Sequence, residues 1–401
     1  MHRSSTRLAD GREIIYFDRT TERGSLPADR RELPEQTAVS RVRYDAPTGD
    51  WVVIAGHRQA RGFAPGAEDC PLCPSRDGHL TEVPAEEYDV VVFENRFPAL
   101  TSASGGGADA IGVGADASVR PGASGGADPT GVARASGGAG VIVGPGHAVA
   151  MPAELLREAA ASGRCEVICF CSEHDTTFAE LKADHVRLIL DAWTDRTRAL
   201  AELPGVAQVF CFENRGAEMG VSQPHPHGQI YAFPFVTPRT GRMLERAQAY
   251  RGAHHRNLFE DLIDAEIGDG RRIVRATDEW LAFVPFAARW PYEVHLYPRR
   301  RCRDLTGLDE AQRDSFAAIY LDMLQRFERL FDAPAPYVSA WQQAPGDIAG
   351  ADEFAVHVEL CTNRRSSERL KVLGGTEVAM DAFSNDVGPE QAALRLRELG
   401  D

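Results

Sequence analysis

The stretch SQPHPHGQIYAF, residues 222–233, places two histidines and a glutamine at alternate positions. Side chains at i, i+2 and i+4 of an extended chain point to the same side. His225, His227 and Gln229 are therefore expected to share one face, close enough to serve one site. Pro226 lacks a backbone N–H, which confines this segment to an edge or irregular part of a sheet. A polar turn beside a strand is the alternative interpretation.

His227 has a chemical use that a turn histidine does not need. A neutral imidazole is a good nucleophile toward phosphorus, and the phosphoramidate it forms is labile enough to pass its group onward. A covalent step of this kind suits a transferase that exchanges two similar phosphates through one site. Gln229 could donate a hydrogen bond to a phosphoryl oxygen while negative charge builds there.

A C-x-x-C motif lies in DCPLCP, residues 69–74. Two thiolates at this spacing can bind one tetrahedral zinc ion, which needs two further ligands. His174 and His225 are the candidates. A redox motif and two incidental cysteines are the alternatives, and no helical pattern begins at Cys73 to favour the redox interpretation. Cys165, Cys169, Cys171 and Cys211 lie in predicted strands and are interpreted as small core residues.

Composition narrows the class of protein. The chain has 401 residues, of which 43% are hydrophobic and 26% charged, as in ordinary globular proteins. A formal net charge of −15 argues against a non-specific nucleic-acid partner. There is no apolar run of 18 residues and no apolar core of a secretory signal near the start, so we expect no membrane association and a cytoplasmic location.

Two segments repeat the same order of predicted elements. The first has a strand at 165–174, a helix at 182–203, a strand at 208–216 and then the histidine segment. The second has a strand at 292–300, a helix at 309–331 and strands at 337–346 and 354–361. This order predicts an α+β fold built by duplication of one unit, with mostly antiparallel sheets covered by helices.

The rest of the chain is divided by composition. Residues 1–39 are polar and predict a loosely packed arm, and strands are expected at 41–45, 51–55 and 88–95. The segment 101–145 is dominated by Gly, Ala, Ser, Asp and Val, which predicts a disordered insertion without a role in catalysis. We therefore predict an N-terminal domain over 40–235 and a C-terminal domain over 236–395.

Five motifs together carry a family resemblance: RYDAPTGDWVVIAGHRQARG, CPLC, FENRFPAL, FENRG and SQPHPHGQI. They resemble the galactose-1-phosphate uridylyltransferase family of the histidine-triad superfamily, over about residues 40–395. Related hydrolases carry a third histidine at the position of Gln229, where glutamine marks the nucleotidyl transferases. The resemblance therefore implies two histidine-triad-like units and exchange of UMP between UDP-glucose and galactose 1-phosphate.

The resemblance also implies roles for individual residues. His227 would be the nucleophile that accepts UMP, and Gln229 would steady the uridylyl group. One structural zinc ion would be held by Cys70, Cys73, His174 and His225. Substrate contacts would come from Arg58, Arg61, Asn95, Arg96, Asn214, Gly220, Ser222, Gln229, Lys371, Thr376 and Glu377. A homodimer is the assembly expected from the same resemblance.

The chain departs from the family pattern at a second metal site, where some members hold iron or zinc. The glutamate position of that site falls at Met243 and one histidine position at Arg301, which leaves only His357 and Glu359. We therefore predict no second metal. Arg96 also stands where relatives often have aspartate. Two other functions stay open: transfer from a different nucleotide sugar on the same scaffold, and zinc-stabilised nucleotide binding without turnover.

Overall fold

The computed structural model describes residues 1–20, 22–34, 40–60, 67–76, 78–101, 155–331 and 333–400. Arg61 and residues 102–145 of the predicted insertion lie outside this part of the chain. No helix among the described residues is long and apolar enough to cross a membrane.

The described strands are short and numerous. They are β1 (His2–Arg7), β2 (Glu13–Asp18), β3 (Arg41–Asp45), β4 (Asp50–Ile54), β5 (Val90–Glu94), β6 (Glu158–Ala160), β7 (Arg164–Cys169), β8 (Gln208–Arg215), β9 (His227–Phe233), β10 (Ile273–Ala276), β11 (Trp280–Phe283), β12 (Tyr292–Pro298), β13 (Tyr337–Gln342) and β14 (His357–Thr362).

Six α-helices accompany these strands in the described part of the chain. They are α1 (Ala183–Ala201), α2 (Pro238–His254), α3 (Leu258–Asp269), α4 (Glu310–Glu328), α5 (Gly375–Met380) and α6 (Pro389–Glu398). The α4 helix begins with a capping box, in which Asp309 accepts from the Gln312 amide and Gln312 accepts from the Asp309 amide.

Eleven strands form one continuous sheet in the order β1-β2-β5-β7-β9-β8-β13-β14-β12-β11-β10, and β4-β3-β6 form a second, smaller sheet. All the paired strands in the described residues are antiparallel. The order β7-β9-β8 is repeated in reverse as β13-β14-β12 across the β8–β13 pair. The predicted α+β fold and its duplicated order of elements are therefore confirmed.

The α1 and α4 helices cover one face of the large sheet. Their apolar residues and those of both sheet halves belong to one buried cluster, which includes Trp193 from α1, Trp280 from β11 and Trp341 from β13. Trp193 and Trp341 meet edge to face with ring centroids 6.2 Å apart. Because this core is shared by both halves, each half buries part of the apolar surface of the other.

Residues 1–39 differ from the predicted loosely packed arm. The β1 and β2 strands extend the large sheet, and Ile14, Ile15, Tyr16 and Phe17 are fully buried. Polar composition misled the prediction because β1 (HRSSTR) is an edge strand with largely exposed side chains. Such a strand is held by backbone hydrogen bonds to its neighbour and needs little apolar surface of its own.

A helical pair that the sequence pattern did not reveal covers part of the opposite sheet face. The α2 helix is strongly polar, and its N-terminus has Pro238 at the first position. Asn257 caps α3 by accepting from the amides of Phe259 and Glu260. Both helices pack through a few apolar residues on Leu281, Phe283 and Tyr297.

Candidate active site and metal centre

The β9 strand places the predicted chemical residues on the sheet face that is turned away from α1 and α4. Its residues alternate between half-buried and buried from His227 to Phe233, and the buried ones join the helix-side core. Gln229 lies opposite Val167 of β7 and Phe212 of β8. His227 and Gln229 therefore share a face, as the alternation predicted.

A backbone hydrogen bond fixes the ring of His227. Its Nδ1 lies 2.7 Å from the carbonyl oxygen of His225. Since a carbonyl only accepts, Nδ1 carries the hydrogen and Nε2 keeps its lone pair. This is the tautomer that a nucleophilic imidazole needs.

Close contacts with neighbouring strands explain why HPHGQ has glycine at 228 and tolerates proline at 226. A side chain at Gly228 would meet the Phe212 carbonyl at 2.8 Å and the Phe170 ring at 2.9 Å. Pro226 has no N–H to donate, but its carbonyl accepts from the Phe170 amide at 3.0 Å. Pro226 is therefore hydrogen-bonded to the residue that follows β7, and Gly228 pairs with Ile168 within β7, so the backbone is held on both sides of His227.

Tyr231 controls the orientation of the Gln229 amide. The Tyr231 hydroxyl donates to Oε1 of Gln229 at 3.2 Å. This contact leaves the NH₂ group of Gln229 as the donor for a ligand. Tyr231 itself is held by edge-to-face packing on Phe212, with ring centroids 5.3 Å apart.

A cavity of about 450 Å³ lies beside His227. Asn214, Ser222, His225 and His227 line it, so the structure brings these four predicted residues together. Gly220 lies in the same connection and has φ of 78°, a left-handed conformation that favours glycine. The Gly220 amide donates to the Ala217 carbonyl at 3.0 Å, which closes the turn that follows β8.

A second group of predicted residues forms a compact donor cluster. The ligand atoms of Cys70, Cys73, His174 and His225 all lie within 4.8 Å of one another. Sγ of Cys73 is 3.2 Å from Nδ1 of His174 and 3.6 Å from Nδ1 of His225. Nε2 of His225 donates to the Cys171 carbonyl at 2.9 Å, which aims Nδ1 into the cluster.

The chemistry of these donors fits a divalent cation. Burial and the neighbouring Cys70 raise the pKa of the Cys73 thiol to about 12. Burial lowers the pKa of His225 to about 4, so its ring is neutral, as a ligand must be. A nearby dication would favour the thiolate form, and a set of two sulfur and two nitrogen donors is typical of structural zinc. Tyr88, which lies 3.0 Å from Nε2 of His225, is a supporting residue that the sequence did not reveal.

Three other predicted contacts lie just after strands, Asn95 and Arg96 after β5 of the large sheet and Arg58 after β4 of the small sheet. Asn95 follows β5 and is buried. Its backbone N–H donates to the Cys165 carbonyl at 2.8 Å. Arg58 lies in a short 3₁₀ turn. Burial raises the pKa of the Cys165 thiol to about 11, and the positive charge of Arg58 partly offsets this rise. Arg96 approaches Glu82, with Nη1 and Oε1 3.9 Å apart.

Glu82 also pairs with Arg12 at 2.6 Å and with Arg31 at 2.7 Å. It is a buried carboxylate shared by three guanidinium groups, and no sequence pattern indicated it. Two of the three arginines, Arg12 and Arg31, belong to the N-terminal segment, which is therefore ion-paired to the rest of the chain.

The predicted hexose contacts occupy a different place. Among the described residues, the lining of the His227 cavity does not include Lys371, Thr376 or Glu377. Nζ of Lys371 donates to the Ser384 carbonyl and lies 3.6 Å from Glu377. Thr376 donates to Glu377 at 3.0 Å. Within one chain these residues form their own cluster around α5.

The sequence analysis missed one buried carboxyl group, Glu213, and one member of a buried cluster, His295. Glu213 lines the His227 cavity and accepts from the Tyr337 hydroxyl at 2.9 Å, and burial raises its pKa to about 8. Its position in the FENRG motif is the feature of the sequence that could have indicated a role at the site. The cluster joins His295 to His357 and Glu359, whose ligand atoms lie within 4.8 Å of one another. The two-ligand count behind the predicted absence of a second metal was therefore incomplete.

Comparisons with known proteins identify the family of the chain. The N-terminal domain model of galactose-1-phosphate uridyl transferase matches residues 146–237, and the C-terminal domain model matches 243–401. The galactose-1-phosphate uridylyltransferase of Streptomyces lividans is 42% identical over 100% of this chain and 99% of its own length. The Thermotoga maritima protein of that name is 32% identical over 89% of this chain and 98% of its own length.

A solved structure described as a uridylyltransferase has a TM-score of 0.68 and 26% identity, covering 90% of this chain and 98% of that one. Both halves of the chain are thus matched by the same family in sequence and in fold. The chain belongs to the galactose-1-phosphate uridylyltransferase family.

Proposed function

We propose that this chain exchanges UMP between UDP-glucose and galactose 1-phosphate through a uridylyl-histidine at His227. The observation that carries the proposal is the hydrogen bond from Nδ1 of His227 to the His225 carbonyl, which places the ring lone pair on Nε2, the attacking atom. Family membership supports the substrates, and the neighbouring cavity supports a ligand beside this nitrogen.

The first half-reaction forms a bond between Nε2 and the α-phosphorus of UDP-glucose and breaks the bond to glucose 1-phosphate. The imidazole becomes cationic as it bonds to phosphorus, and the His225 carbonyl stabilises the Nδ1–H. The Gln229 NH₂, released for donation by Tyr231, hydrogen-bonds a phosphoryl oxygen. In the second half-reaction a phosphate oxygen of galactose 1-phosphate attacks, the P–N bond breaks and UDP-galactose leaves.

The metal site has a separate role in this proposal. Cys70, Cys73, His174 and His225 would hold one zinc ion, which supplies a rigid cross-link when bound. The backbone of His225 carries the carbonyl that orients His227. A bound ion would therefore position the nucleophile through the backbone of His225.

A homodimer is part of the proposal. An apolar patch, formed by Val372, Val378 and Met380, is 81%, 73% and 76% exposed at these residues. Several exposed apolar residues within one short stretch of the chain are typical of protein contact sites, and a second copy of the chain is the partner we propose. The division into domains at 40–235 and 236–395, the cytoplasmic location and the lack of a nucleic-acid partner remain predictions.

Trapping the intermediate tests the covalent step. UDP-glucose labelled at the α-phosphorus should leave one acid-labile label per active chain, and His227→Asn should remove label and exchange while the fold and metal content persist. Asn214→Asp in the same cavity is a useful comparison, because it keeps the nucleophile. ADP-glucose with phosphate tests the alternative donor. A fully active enzyme that never acquires label would exclude the covalent mechanism.

A further inference from the structure

The C-terminal half of the sheet contains a buried polar cluster that the proposed reaction does not use. His295 of β12 lies directly opposite Glu359 of β14, and His357 lies two residues before Glu359. Antiparallel register therefore brings three metal-type donors to one face. Nδ1 of His357 donates to the Ala355 carbonyl at 2.9 Å, so Nε2 is turned toward the cluster.

The donor types alone would suit a transition metal. Two imidazoles and one carboxylate form a common set for zinc or iron. Nε2 of His357 is 3.6 Å from Oε1 of Glu359, and Nε2 of His295 is 3.8 Å from the same oxygen. The question is what else competes for these atoms.

Arg239 already occupies the carboxylate. This residue lies in the first turn of α2, and its Nη2 is 2.6 Å and 2.7 Å from the two oxygens of Glu359. Gln342 donates to Oε2 of the same carboxylate at 3.3 Å. A dication at Glu359 would have to displace these donors and tolerate a guanidinium beside it, and like charges at short range repel strongly.

His295 is also engaged. Its Nε2, the atom that would ligate, lies 2.9 Å from Oε1 of Glu293. Because a carboxylate only accepts, Nε2 is a hydrogen donor here and has no lone pair to offer. Oε2 of Glu293 accepts from the amides of Arg289 and Trp290, which fixes the carboxylate in place.

A second guanidinium makes a cross-link nearby. Arg301, which stands at a histidine position of the second metal site implied by the resemblance, donates to the carbonyls of Asp352 and Phe354 at 2.5 Å and 3.0 Å. It also pairs with Glu260 of α3 at 3.1 Å. One side chain thus ties α3 to the segment that leads into β14, which is the mechanical task of a structural metal ion.

We propose that Arg239 and Arg301 replace a second metal ion in the C-terminal half, so that the chain binds one metal at the Cys70 cluster and none at His295, His357 and Glu359. The guanidinium of Arg239 supplies the positive charge that the Glu359 carboxylate needs. The guanidinium of Arg301 supplies the cross-link. The metal-type donors are present, but Glu359 is already bonded to Arg239 and His295 to Glu293.

Cobalt titration of the full-length, metal-depleted protein tests the proposal, with bound metal counted by mass spectrometry. Wild type should take up one equivalent, with intense thiolate-to-cobalt absorption from the Cys70 cluster. Arg239→Ala with Glu293→Ala, which removes the guanidinium from Glu359 and frees Nε2 of His295, should take up a second equivalent that adds only weak absorption, because its donors are nitrogen and oxygen. Adding His357→Gln to this double variant should return the count to one. Arg242→Ala, one turn along α2 and exposed, is the matched control and should stay at one.

Two results would overturn the proposal. One is a wild-type count of two that falls to one in His357→Gln, which requires no Arg239 variant to fold. The other is a folded Arg239→Ala, Glu293→Ala protein that still binds one equivalent. Uridylyl transfer is not read in this experiment, so a failure of the proposed reaction would leave the metal counts unchanged.

Discussion

At the scale of single residues, the site depends on side chains that aim other side chains. His227 is oriented by the carbonyl of His225, and Gln229 by the hydroxyl of Tyr231. Neither orienting group needs to touch the substrate. A hydrogen bond of this kind contributes about 1 kcal/mol, which corresponds to a factor of about five in rate when it is felt in the transition state.

Tyr231→Phe tests this orienting role. The variant keeps the ring packing on Phe212 but frees the Gln229 amide to rotate, so we expect kcat to fall about fivefold with little change in KM. Tyr250→Phe removes a hydroxyl that donates to Asp261 on the surface and serves as the control. In a Gln229→Ala background Tyr231→Phe should have no further effect on kcat. A full fivefold loss in that background would show that Tyr231 acts in another way.

At the scale of elements, the proposed metal joins three segments that are distant in sequence. The 70–73 loop, the turn after β7 at His174 and the segment before β9 at His225 meet at one point. No strand pairing among the described residues connects the 70–73 loop directly to β9. The Tyr88 hydroxyl links the Leu72 carbonyl to the ring of His225, and a metal cross-link would add a much stronger connection between this loop and the segment carrying the nucleophile.

Cys73→Ser should remove this cross-link. We expect bound metal to fall from one equivalent to near zero, and the free energy of unfolding to fall by about 4 kcal/mol, as linkage predicts for an ion at a thousandfold excess over Kd. Cys302→Ser, at a half-buried cysteine outside the cluster, should change neither quantity. Unchanged stability in a Cys73→Ser protein shown to be metal-free would contradict the structural role.

Glu213 of β8 lies where β8 pairs with β13, and its buried carboxyl group is more stable in the neutral form than in the charged form. Burial raises the pKa of Glu213 to about 8, whereas an unfolded glutamate titrates near about 4.3. Between these values the folded state holds a proton that the unfolded state has released. Stability should therefore fall as pH rises through this window.

Glu213→Gln should remove that pH dependence. The variant keeps an oxygen for the Tyr337 hydroxyl but has no proton to lose, so its advantage over wild type should grow from pH 5 to pH 8, to on the order of 3 kcal/mol near pH 7. Urea unfolding at several pH values measures this difference. Glu245→Gln, at an exposed position of α2, controls for net charge. Parallel pH profiles for wild type and Glu213→Gln would refute the assignment.

At the scale of the whole molecule, the two halves share one sheet and one core. The β8–β13 pair joins them edge to edge, and apolar residues of α1 and α4 belong to the same buried cluster. The duplicated units are thus a topological repeat and not two independently packed bodies. The apolar patch at Val372, Val378 and Met380 lies outside this core.

The apolar patch predicts the assembly. Val378→Asp with Met380→Asp places two charges where we propose that a second copy packs, so light scattering should show a shift from dimer to monomer at micromolar concentration. Leu394→Asp, at another exposed apolar residue, should not change the mass. A double variant that stays dimeric, or a wild type that is monomeric, would show that the apolar patch is not a dimer contact.

The sequence by itself determined what depends on local pattern and motif. Helical spacing and strand alternation gave the repeated order of elements, because those periods follow from backbone geometry. The residue types in HPHGQ and C-x-x-C indicated nucleophile and metal chemistry, because few other side chains can perform either task. These inferences needed no knowledge of which segments touch.

Tertiary structure alone decided what depends on register and long-range approach. The polar β1 strand is ordered by pairing with β2, and His295 meets Glu359 only because β12 and β14 pair in one register. Arg239 reaches Glu359 from 120 residues away, from a helix whose apolar pattern is weak. A one-residue slip in such pairings would turn these side chains to the opposite face, and no local period records which register is chosen.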